Sequence, residues 1–196
     1  MLKPKDYDEV ELFKGPKSLP PGGYVVQIYT AEEMKTKYNT PMLKITWDVY
    51  EGDYRRYMHD KWERNKKFRP NAGFPADGTA YLPVLNQLSN TSKRFKGFIE
   101  AWRITNQKDV DWDAAVFGRQ FLDTLVGVIV RRKEEEFKGK RFWRIDPYYF
   151  CSAETIRCGD FEIPEDQPMQ LSYSRDSISY SHEGFDYAGT EDDIPF

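Results

Sequence analysis

The 196-residue sequence predicts a mainly β fold: a small five-stranded barrel with one helix between strands three and four, followed by a disordered acidic tail. Three observations carry this. Leu43, Ile45, Trp47 and Val49 alternate with Lys44, Thr46, Asp48 and Tyr50, which is the period-two signature of a half-buried strand. Phe95, Phe98, Ile99 and Trp102 form a one-sided stripe at helical spacing. After about residue 160 that periodicity fades, and acids, Ser and Gly take over.

The elements follow in order. Pro20-Pro21-Gly22-Gly23 is a turn cluster that opens a first strand over Tyr24–Thr30. The alternating run makes the second strand, with its odd positions in the core and Lys44 and Tyr50 outward; Gly52 ends it. A third strand is expected near residues 54–63, followed by a long polar loop. Thr91 or Ser92 caps the helix that carries the apolar stripe. A hairpin comes next, with one strand from Phe121 to Arg132, a turn at Lys138-Gly139-Lys140 and a return strand from Arg141 to Tyr149. Strand, strand, strand, helix, strand, strand is the order of an OB-fold, a partly open Greek-key barrel. The expected organisation is an N-terminal extension over 1–19, the OB-fold domain over 20–159, and a mostly disordered acidic tail over 160–196.

Charge is unevenly spread. Residues 160–196 hold ten acids and one base, so the net charge of −3 conceals a body with 28 bases and 22 acids. A basic body with an acidic tail suits a body that meets a polyanion. The N-terminus lacks an apolar leader and no run of apolar residues is long enough to span a membrane, so the expected location is cytoplasmic, with no membrane partner. Cys151 and Cys158 are expected to be free thiols. His59 and His182 stand alone, so neither a metal site nor a cofactor is expected.

Motifs for catalysis are missing: no phosphate-binding Gly loop, no Gly-x-Ser-x-Gly turn, no His-Glu-x-x-His. Nothing links Cys151 to His59, and Asp111 and Asp113 read as an acidic turn. The expectation is a non-enzyme; the rival is a metal-dependent nuclease using the same basic groove.

The stronger signal is basic and aromatic. From Tyr54 to Arg69 there are seven bases and two acids, interleaved with rings. Single-stranded nucleic acid needs cations for its phosphates and flat rings for its unstacked bases. Tyr54, Arg55, Arg56, Tyr57, Lys61, Trp62, Arg64, Lys66, Lys67 and Phe68 offer both. Lys44 on the second strand is a further candidate. So are Arg131, Lys138, Lys140 and Arg144 of the hairpin, which also carries Arg132, Lys133 and Arg141. OB-folds bind oligonucleotides on the face of strands two and three, framed by the loops after strands one and four. Here those loops are Met34–Asn39, with Lys35, Lys37 and Tyr38, and the Lys138 turn. By parity Trp47 and Trp143 belong to the core, whereas Trp62 is expected to be exposed. Tyr54 and Tyr57 have opposite parity, so a regular strand would show only one of them.

The sequence "DDIPF", Asp192, Asp193, Ile194, Pro195 and Phe196, resembles the C-terminal tip of bacterial single-stranded DNA-binding proteins. The resemblance implies that these five residues recruit replication, recombination or repair enzymes. The Phe would enter an apolar pocket while the acids meet a basic rim. The body resembles phage-encoded proteins of replication and recombination through "GGYVVQI", "PMLKITWDVYEGDY" and "GVIVRRKEEEFKGKRFWRI". It implies a phage-type protein that binds single-stranded DNA, with room for a homo-oligomer.

Overall fold

The computed structural model describes residues 18–169. They form five strands, β1 (Gly22–Lys35), β2 (Pro41–Val49), β3 (Thr79–Pro83), β4 (Leu125–Phe137) and β5 (Lys140–Cys151). Three helices accompany them rather than the one expected: α1 (Tyr57–Phe68), α2 (Lys93–Asn106) and α3 (Ala153–Cys158). All strand pairs are antiparallel, and the sheet order is β3-β2-β1-β4-β5. The mainly β class, the five strands and the helix between β3 and β4 match expectation. The sheet is not closed, because β3 and β5 are its two unpaired edges. β5 nevertheless contacts the short 3-10 turn at Ala76–Gly78 that leads into β3.

The expected alternation in β2 holds on its core face, where Leu43, Ile45, Trp47 and Val49 are all buried. They pack with Phe95, Phe98, Ile99 and Trp102 of α2, Phe121, and Val126, Val128 and Val130 of β4. Ser92 caps α2 by accepting from the Phe95 amide. Gly127 lets α3 lie against β4, since a Cβ there would sit 2.6 Å from the Ser152 carbonyl oxygen.

The third strand is not near residues 54–63. Residues 57–68 are α1, and β3 is the five-residue run "TAYLP" at Thr79–Pro83. The reason lies upstream. Asp48 points away from the core face of β2, and its carboxylate accepts from the amides of Met58 at 2.8 Å and His59 at 2.9 Å. These are the second and third amides of the helix, the donors a capping side chain normally satisfies. Met58 and Trp62 then repeat at i and i+4, Met58 fully buried and Trp62 half-buried.

The β4–β5 hairpin runs beyond the sheet. β1 pairs with β4 only as far as Gly22 opposite Val130, whereas β4 and β5 stay paired from Arg131–Asp146 to Phe137–Lys140. Lys138 and Gly139 form the connection, both with positive φ, 52° and 74°. That is the two-residue turn whose twist suits a hairpin. Beyond β1, Gln167 takes a place beside β4 through a parallel bridge to Lys133. No helix among the described residues is long and apolar enough to cross a membrane. The sequence before Ser18 and after Met169, including Asp192–Phe196, lies outside the described residues.

Candidate nucleic-acid interface

The residues expected on a basic third strand are distributed around α1 instead. Tyr54 and Tyr57 are half-buried: Tyr54 meets Tyr24 edge-on at 6.1 Å and Tyr57 at 6.3 Å. Burial, followed by the neighbouring Tyr54 and Tyr57, pushes the Tyr24 hydroxyl above the usual tyrosine range. This trio is packing, and the parity argument for it fails with the strand.

Trp62 is half-buried rather than exposed. Its Nε1 donates to the Ala72 carbonyl at 2.9 Å, and its ring lies 5.5 Å from His59 and 5.9 Å from Phe74. Lys66 places its ammonium 3.7 Å from the Trp62 ring centre. Lys61 is paired with Asp77 of the 3-10 turn. Arg56 lies 3.7 Å from Asp60 and 4.0 Å from Glu63, and Arg55 sits 5.8 Å from the Tyr50 ring. The end of α1 is less committed. Arg64 and Lys67 are exposed, with no partner among the described residues, and Phe68 is 87% exposed.

Asp48, which anchors α1, is 1% exposed. Burial raises its pKa above the ordinary carboxylate value, opposed by hydrogen bonds from Met58, His59 and Val49.

The hairpin has two faces, set by its register. Arg131, Lys133, Glu135 and Phe137 stand opposite Asp146, Arg144, Phe142 and Lys140 on one face. Arg132, Glu134 and Glu136 stand opposite Ile145, Trp143 and Arg141 on the other. Several charges are internally paired: Arg144 with Glu135 at 3.2 Å, Arg131 with Asp146 at 3.5 Å, Arg141 with Glu136 at 3.8 Å. Lys133 and Lys140 have no ion-pair partner among the described residues, and Lys138 lies 5.4 Å from the Phe137 ring.

Trp143 is not core. It is 47% exposed, beside Phe142 at 44% and Phe137 at 65%. It shares its face with the buried Ile145, but at its position β4 has outrun β1 and the core has ended. Tyr148 is the extra residue of a β-bulge, since Ile129 pairs with Tyr149 and Val130 with Pro147. The bulge aims its ring outward, with the Arg131 guanidinium 4.2 Å from the ring centre. Arg132 lies 5.7 Å from Trp143. Phe137, Phe142, Trp143 and Tyr148 were all missed as ring candidates. The turn at Lys138-Gly139 and the glycines opening β1 together held the signal that the hairpin overhangs.

The 3-10 turn contacts both α1 and β5. Asp77 holds Lys61 of α1, a Cβ on Gly78 would meet Met58 of α1 at 2.9 Å, and β5 contacts the same turn. Lys44 stands apart from this assembly, on the outward face of β2 opposite Tyr81, with Glu32 3.3 Å from its ammonium.

Among the described residues no group of three or more His, Cys, Asp or Glu side chains is placed to hold a metal ion. Burial pushes the Cys151 thiol up to about 11. No protein-family model matches the chain, and no curated protein matches it.

Proposed function

We propose that this chain binds single-stranded DNA through the β4–β5 hairpin and the end of α1. One observation carries the reading: the hairpin that overhangs the sheet exposes Phe137, Phe142 and Trp143 among Lys133, Lys138 and Lys140, and the 3-10 turn that holds Lys61 of α1 also contacts β5. Residues 54–69 bring seven bases against two acids, and residues 131–146 bring seven against four. Exposed Phe137, Phe142, Trp143 and Tyr148 supply the flat surfaces that unstacked bases require, each stacked base contributing about 1–3 kcal/mol. Three exposed rings on an overhanging hairpin, with Tyr148 at its base, fit a binding surface better than a solvated edge.

The strand order supports an OB-type reading. A β1-β2-β3 meander with β4 returning beside β1 is a Greek-key arrangement, opened here between β3 and β5. The loop after the fourth strand, which frames the ligand in such barrels, is here the tip of the overhanging hairpin.

On this reading Asp192–Phe196 serves as a recruiting segment for replication, recombination or repair enzymes, supported by its resemblance and its acidic, apolar composition. The protein acts by holding and protecting the strand, not by cutting it. The test is Phe142→Ala and Trp143→Ala, assayed with a labelled single strand, a duplex and added divalent metal. Weakened single-strand binding by a folded protein that leaves the strand intact is expected. Cleavage, or unaltered binding in both variants, contradicts the reading.

A further inference from the structure

The overhanging part of the hairpin lacks a third strand exactly where β1 stops, and an isolated two-stranded ribbon is marginal in water. The segment Glu165–Met169 fills that gap. The Glu134 amide donates to the Gln167 carbonyl at 2.8 Å, and the Gln167 amide donates to the Arg132 carbonyl at 2.8 Å. Three side-chain contacts surround this bridge. Arg132 Nε donates to Asp166 at 3.1 Å, Arg131 donates to the Gln167 side chain, and the Met169 amide donates to the Glu134 carboxylate at 3.0 Å.

Two functions fit an acidic segment on a basic hairpin. It can compete with DNA for the cations, or it can hold the hairpin in shape. The placement decides between them. Asp166 pairs with Arg132, on the face of the hairpin that carries Trp143 and Ile145. The side chains of Lys133 and Lys140 and the rings of Phe137, Phe142 and Trp143 have no hydrogen bond or ion pair with the segment, whose side-chain contacts are with Arg131, Arg132 and Glu134. Both bridging hydrogen bonds go to β4 backbone groups pointing away from β5, which β1 does not reach.

We infer that Glu165–Met169 is a brace: a one-residue parallel strand that orders the β4–β5 hairpin and presets its exposed rings and lysines. The inference rests on the DNA-binding reading for its consequence, but not for its structural content. Ordering the ribbon before DNA arrives removes an entropy cost from binding.

The experiment uses the full chain with Gln167→Pro, which deletes the amide bonded to Arg132, and separately Asp166→Asn, which keeps the shape and removes the charge. Amide exchange is measured across residues 131–146, along with single-strand affinity and thermal melting. The brace predicts faster exchange at Glu134, Lys133 and Arg144, an unchanged main melt, and an affinity loss of about fivefold, the equivalent of one net hydrogen bond. Combining Arg132→Asp with Asp166→Arg should restore protection. Unchanged exchange in Gln167→Pro overturns the brace whether or not DNA binds. Tighter DNA binding by either variant overturns it in favour of a competitor. Faster exchange with no DNA binding by the wild type keeps the brace and removes the DNA-binding reading.

Discussion

Trp143 and Ile145 lie on one face of β5, two residues apart, yet Ile145 is 8% exposed and Trp143 is 47% exposed. The boundary of the core passes between them. Removing Trp143 should therefore leave stability within about 0.5 kcal/mol of the wild type, as for a surface change. Trp47→Ala, at a fully buried position, should cost about 3–5 kcal/mol. Thermal melts of the two variants side by side check this. An early melt for Trp143→Ala would place that ring back in the core.

Trp62 needs a different expectation. Its ring is half-buried and its Nε1 bonds the Ala72 carbonyl, so Trp62→Ala loses packing as well as any contact with a strand. A stability loss of about 1–3 kcal/mol is expected, the range for leaving one buried acceptor unpaired. Denaturant midpoints measured beside binding curves separate the two losses.

Asp48→Ala should free the start of α1. The amides of Val49, Met58 and His59 all donate to that carboxylate. Each amide that finds no water costs about 1–3 kcal/mol. Hydrogen exchange should show α1 opening first, with α2 still protected. If both helices exchange together, Asp48 supports the whole core and not one helix.

The brace should respond to acid. The hydrogen bond from Arg132 comes first in holding the Asp166 carboxyl below its ordinary value. A depressed carboxylate contributes stability that is fully present above the unfolded-chain pKa and lost as pH falls through the folded-state pKa. The Arg132 Nε proton resonance, bonded to Asp166, should shift in that acid range and not near neutrality. Asp166→Asn should abolish the shift. Because the pair is exposed, added salt should weaken it.

How much was legible depended on how local each determinant is. The β2 alternation, the Ser92 cap, the α2 stripe and the Lys138-Gly139 turn are written within a few residues, and each reappears in the structure. α1 was misread as a strand because its cap is Asp48, on a strand eight residues before Arg56. β3 was missed because five residues ending in Pro83 carry too little pattern. Trp143 was misassigned because period two reports which face a side chain takes. It does not report whether a neighbouring strand still covers that face. The candidate site shifted for the same reason, from a basic strand to a basic helix end beside an overhanging hairpin.

The central claim is tested most directly by titrating the full chain with a single-stranded oligonucleotide at several salt concentrations, with the duplex as control. Cations tracking phosphates make log K fall linearly with log salt, by about 0.7 per phosphate neutralised. With Arg64, Lys67, Lys133 and Lys140 engaged, the account predicts a slope of about −3 or steeper, and weaker binding to duplex, whose bases cannot reach the rings. A flat salt response, or no single-strand binding at low salt, would contradict it.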